Sequence, residues 1–144
     1  MMRSCGISSI FAVAFVVGLC SSAEALPPGG LEAAAMQWIL LVDAGEYAKS
    51  WDRAGVVFKS SVTAGDWQKR IAPSREPLGA IMTRTVRDET LSQTFPGLPG
   101  GKYALIHFNS VFEHNAAALE TVTLDMEDSH WTVIGYYIQQ RYKQ

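Results

Sequence analysis

The chain has 144 residues, with 12 Lys plus Arg against 14 Asp plus Glu, a formal net charge of −2 and 48% hydrophobic side chains. That length supports one domain with a real core. The near-neutral balance excludes the basic face expected of a nucleic-acid binder or of a protein held on anionic lipid.

The first 25 residues read as a targeting segment. Arg3 supplies a positive start, Ile7 to Leu19 is almost wholly apolar, and Ala23-Glu24-Ala25 fits the small-x-small pattern read by signal peptidase, so cleavage is expected after Ala25. The apolar run is shorter than the roughly 20 residues a membrane helix needs, and no later stretch is long enough. The expected product is an exported protein, periplasmic or secreted, with no transmembrane segment in its mature chain. Cys20 follows Val17-Gly18-Leu19, but a bulky Leu before it does not suit a lipoprotein box, so lipid anchoring is a lesser alternative. Cys5 and Cys20 both lie in this leader, which leaves 26–144 to fold as one domain without disulfides.

"LPPGG" is a short lead-in. From Leu31 to about Gly55 the pattern predicts one long helix. Leu31, Ala34, Ala35, Trp38, Leu41, Val42 and Gly45 form one apolar face, and Met36, Leu40, Tyr47 and Trp51 form a stripe nearly opposite. Such a helix is expected to be covered on both sides. Within "LVDAGEYAKSW", Asp43, Tyr47 and Trp51 are spaced to stack on one helix face. Val56 to Ser61 predicts a further short helix. Thr63 then looks like the cap of another, with Asp66 in its first turn and a stop near Pro73.

After "SREPLG" the pattern turns extended. Leu78–Val86, Lys102–Phe112, Ala117–Glu127 and Trp131–Gln139 predict four strands in an antiparallel meander, with tight turns at "EHNAA" and "EDSH" and a Pro/Gly loop at "FPGLPGG". Helices followed by strands imply an α+β fold, the long helix packed across the sheet. Ile106, Phe108 and Val133 are read as outer apolar positions through which two sheets could pair, so a homodimer is possible.

The residues "LVDAGEYAKSW", Trp67, Arg75-x-Pro77-Leu78-Gly79 followed by Arg84, "PGLPGGKY", Phe108 with Phe112, "ETVT" and "WTVIGYYI" together carry a resemblance. The chain resembles small exported bacterial proteins grouped as domain of unknown function 4019. The resemblance implies a cystatin-like or NTF2-like domain in which a curved four-stranded sheet wraps a long helix. It brings no catalytic residues, and a fold analogy says little about activity.

Three charges fall on faces expected to be buried. Asp43 shares the stripe of Met36, Leu40 and Tyr47. Arg84 alternates with Ala80, Met82 and Val86, and Glu120 with Ala118, Val122, Leu124 and Met126. Isolated buried charges cost several kcal/mol, so these should find one another, with Arg75 as a further partner. Either they lock helix to sheet, or they floor a pocket walled by Tyr47, Trp51 and Tyr136 in which Arg84 receives an anionic or carbonyl group. A base role for Asp43 or Glu120 is the catalytic alternative. Of the paired tyrosines, Tyr136 shares a face with Ile134 and Ile138 and should be the one pointing inward. The tryptophans, Phe108 and Phe112 read as packing.

Several motifs fail. "GLPGGKY" has Pro96 where a phosphate-binding loop needs Gly, and Tyr103 where it needs Ser or Thr. His107, His114 and His130 lack metal-site spacing, so no metal or cofactor is expected, and His107 stays a secondary pocket candidate with Arg75. No Gly-x-Ser-x-Gly elbow occurs. The leading expectation is a non-catalytic binding or accessory domain with an unidentified small ligand or protein partner. An isomerase- or dehydratase-type enzyme and a structural homo-oligomer are the alternatives.

Overall fold

The structure is a computed structural model that describes residues 30–141. The expected leader and its cleavage point after Ala25 lie outside the described residues. Four helices precede four strands: α1 (Leu31–Asp43), α2 (Tyr47–Asp52), α3 (Val56–Ser61), α4 (Ala64–Arg75), a single 3-10 turn at Glu76–Leu78, then β1 (Ile81–Ser92), β2 (Tyr103–Phe112), β3 (Asn115–Glu127) and β4 (His130–Gln140). The strands form one open antiparallel sheet in the order β1-β2-β3-β4, which is the meander expected from the sequence.

The single long helix is not formed. It stops at Asp43, and α2 begins afresh at Tyr47. Gly45 is the reason: it adopts φ +72°, the left-handed conformation that ends helices and that glycine enters without steric cost. Its N–H donates to the Val42 carbonyl at 3.1 Å and the Glu46 N–H to Leu41 at 2.8 Å, which together satisfy the last carbonyls of α1. Counting Gly45 as a face residue therefore misread a stop signal. Asp43, Tyr47 and Trp51 do not share one stripe, and Leu40 is exposed rather than covered.

What α1 does bury is Ala35, Trp38, Ile39 and Val42, one stripe at helical spacing. α1 packs against β4 and β2, and α2 lies against α4. Thr63 caps α4 as expected, its side chain accepting from the Asp66 N–H. Pro73 does not end that helix. α4 runs on to Arg75, whose side chain is held by tertiary contacts described below.

Along β2 and β3 the inner row reads Ala104, Ile106, Phe108, Ser110, Phe112 and Ala118, Glu120, Val122, Leu124, all buried. Ile106, Phe108 and Val133 thus face the helices, not an outer pairing surface. The error was one of phase, because alternation identifies two faces but not which one the helices cover. β1 is longer than expected and starts later, since Leu78 belongs to the 3-10 turn. A register shift between Ile81 and Thr83 leaves Met82 64% exposed, so Arg84 does not share its face with Met82. The β3–β4 turn is made by Asp128 and Ser129, both at positive φ, as tight two-residue hairpins require.

Candidate functional site

The charges singled out in the sequence meet at one place. Asp43 arrives as the last residue of α1, Arg75 as the last of α4, Arg84 from β1 and Glu120 from β3. The Arg84 guanidinium is the hub. Its Nη1 donates to Asp43 Oδ2 at 2.8 Å and its Nη2 to Asp43 Oδ1 at 3.0 Å. Toward Glu120, Nε donates to Oε2 at 2.6 Å and Nη2 to Oε1 at 3.1 Å. Two-point contacts of this kind are the strong form of the Arg–carboxylate pair. Arg75 closes the other side, donating from Nη2 to Asp43 Oδ1 at 3.0 Å and from Nη1 to the Gly79 carbonyl at 2.7 Å, while its guanidinium lies 4.6 Å from the Phe112 ring centre.

Two hydroxyls complete Glu120. Ser110 Oγ donates to Oε2 and Tyr136 Oη to Oε1. Side-chain exposure is 4% for Arg84, 5% for Arg75, 10% for Asp43 and zero for Glu120. No buried side-chain nitrogen or oxygen among the described residues lacks a partner. Burial by itself would lower the Arg84 pKa. The hydrogen bonds and charges of Asp43 and Glu120 outweigh it and hold the guanidinium above its ordinary value. Burial pushes the Tyr136 phenol well up, with the Glu120 charge adding to it.

Other expected site residues lie elsewhere. Tyr47 is buried near enough to Glu76, Arg75 and Asp43 for their charges to act on it, and burial chiefly raises its pKa. Trp51 donates its indole N–H to the Val62 carbonyl at 2.8 Å and does not enter the cluster. His107 stands on the opposite sheet face from Ile106 and Phe108, where its Nδ1 is 2.6 Å from Asp88 Oδ1. Of the three expected pocket walls, Tyr136 meets the cluster at Glu120, Tyr47 lies beside Arg75 and Asp43, and Trp51 stands apart.

Two residues of consequence escaped sequence reasoning. Ser110 could have been found, since it alternates with Phe108 and Phe112 on the inner face of β2. Ser50 had no such signal. It is buried at the meeting of two tryptophans, its carbonyl accepting from Trp38 Nε1 at 2.7 Å and its hydroxyl from Trp67 Nε1 at 2.9 Å. Those tryptophans, with Phe58, form an aromatic group against Tyr136, the ring centres of Trp38 and Tyr136 being 5.5 Å apart.

The principal surface concavities are lined by none of Asp43, Arg75, Arg84 or Glu120. A groove of about 410 Å³ lies between α3, α4 and β4, floored by Phe58, Trp67, Ile71 and Ile138, and shares Tyr136 with the cluster. Among the described residues no three His, Cys, Asp or Glu side chains come together as a metal site, and no helix is long and apolar enough to cross a membrane. No curated protein matches the chain. Residues 34–136, which span every charged member of the cluster and reach Tyr136, match the family described as Protein of unknown function (DUF4019), and over that extent the chain belongs to this family.

Proposed function

We propose that this protein is an exported, non-catalytic binding or accessory domain whose charged cluster is scaffold and whose binding surface lies where helices meet sheet. The observation that carries this reading is the saturation of Glu120: its two oxygens accept from Arg84, Ser110 and Tyr136, and none of its surface reaches solvent. A general base must come within hydrogen-bond reach of a substrate proton. An isomerase or dehydratase using Glu120 would first have to dismantle the core. Asp43 is likewise held by two arginines. Helices gathered on one face of an open antiparallel sheet support kinship with cystatin-like or NTF2-like domains. Export rests on Arg3, the apolar run and Ala23-Glu24-Ala25.

Native mass spectrometry of the protein isolated from the cell envelope or the medium tests both parts. The expected species begins at Leu26 and carries a retained small molecule or protein. A bare monomer overturns the binding role, and a mass that still includes residues 1–25 overturns export.

A further inference from the structure

The open sheet has two edges, and the sequence treats them differently. Unpaired edge strands invite pairing with another chain, and proteins guard them with charges and bulges. β1 is guarded: Arg87, Asp88 and Glu89 stand in a row, and the register slips twice, between Ile81 and Thr83 and between Val86 and Asp88. β4, "HWTVIGYYIQQ", contains no Asp, Glu, Lys or Arg. Its first half is closed by the chain before α3, where the Gly55 N–H donates to the Val133 carbonyl at 2.8 Å. From Gly135 to Gln139, among the described residues, no backbone hydrogen bond crosses the outer edge, and these residues hold an unbroken register with β3.

The groove of about 410 Å³ runs beside this open half, within the roughly 300–1,000 Å³ usual for ligand sites. Its floor is apolar, its rim carries Ser61, Ser74 and Arg70, and no carboxylate lines it. Arg70 has no ion pair among the described residues, and neither has Arg141 just past the end of β4. A second copy pairing through β4 would bring like charges together and supply no carboxylate to answer them. An extended segment with apolar side chains alternating toward the groove and an Asp or Glu for Arg70 meets all these features at once.

We propose that the β4 edge from Gly135 to Gln139, with its adjoining groove, is the docking site for an extended acidic and apolar segment of a partner protein, which joins the sheet as a fifth strand. This rests on the binding role proposed above and names its partner class. Five residues of strand span about 17 Å, so the ladder supplies affinity and the alternate side chains supply selectivity.

The test is selection of random ten-residue peptides displayed on phage against the purified protein, followed by hydrogen exchange with the best synthetic peptide. Expected are winners that alternate apolar residues and contain Asp or Glu, together with slowed exchange at the 135–139 amides. A peptide N-methylated at alternate amides should bind at least about tenfold more weakly, the equivalent of one or two lost ladder hydrogen bonds. Arg70→Glu should weaken binding by a similar factor. Because the N-methyl comparison leaves the protein unchanged, a folding defect in the variant cannot obscure the answer. Protection confined to β1 or to the outer sheet face, indifference to N-methylation, or concentration-dependent dimerisation that protects β4 without peptide would each overturn the assignment. If native mass spectrometry finds a retained partner while β4 stays unprotected, the binding role stands and this site falls.

Discussion

Arg84 is one side chain on which two carboxylates depend. Replacing it with Met leaves Asp43 still paired to Arg75 but strands Glu120, whose remaining donors are two neutral hydroxyls. Removing one partner of a buried ion pair costs about 3–5 kcal/mol, so Arg84→Met should lose about that much in urea unfolding. Adding Glu120→Gln should recover part of the loss, since the stranded charge is gone; no change in stability for the single variant would refute the locking role. Tyr136 reports on the same cluster through pH. Its folded-state pKa is raised by burial and by Glu120, so above pH 10, the ordinary value for tyrosine, the unfolded chain releases a proton that the folded chain retains. The stabilisation is complete below that pH and declines as pH rises toward the folded value, by about 1.4 kcal/mol per pH unit for one group. Tyr136→Phe should therefore flatten the alkaline limb of a stability-versus-pH curve, and an identical slope in both proteins would refute it.

Between elements, two glycines place the charged side chains. Gly45 ends α1 at Asp43, so that the carboxylate sits at a helix terminus beside two arginines rather than midway along a longer rod. Gly79 turns the chain from the 3-10 segment toward β1 at φ +74° and ψ −156°, a region open essentially only to glycine. A Cβ there would lie 2.8 Å from Glu113 Oε2 and 2.9 Å from His114 Cδ2. Since its carbonyl also receives Arg75, Gly79→Ala should destabilise by about 1–3 kcal/mol in urea titration. An unchanged midpoint would show that this turn does not constrain the cluster. The strands themselves were legible from alternation, whereas the slip at Met82 was not, because Ile81 and Met82 are both apolar and fit either phase of a period-two pattern.

Across the molecule, the cluster takes one side chain from each of α1, α4, β1, β2, β3 and β4: Asp43, Arg75, Arg84, Ser110, Glu120 and Tyr136. A strand shifted by one residue would turn its member to the other face and break the set, so the cluster specifies a single register as well as adding stability. With no cysteine between residues 26 and 144, that lock and the aromatic core carry the fold without covalent help. Melting temperature should be the same with and without dithiothreitol, and a drop under reduction would contradict it.

By itself the sequence determined the α+β class, the four-strand meander, the cap at Thr63 and the identity of the charges that had to find partners. Those features follow from periodicity, turn chemistry and the cost of burying an ion, all of which act over a few residues. Only the tertiary structure decided that Arg84 would serve both carboxylates, that Tyr136 and Ser110 would finish Glu120, and that Trp51 and His107 would stand apart. It also decided which face of the sheet the helices cover. Such outcomes depend on strand register, bulge position and helix placement, which are settled by contacts between residues far apart in the chain.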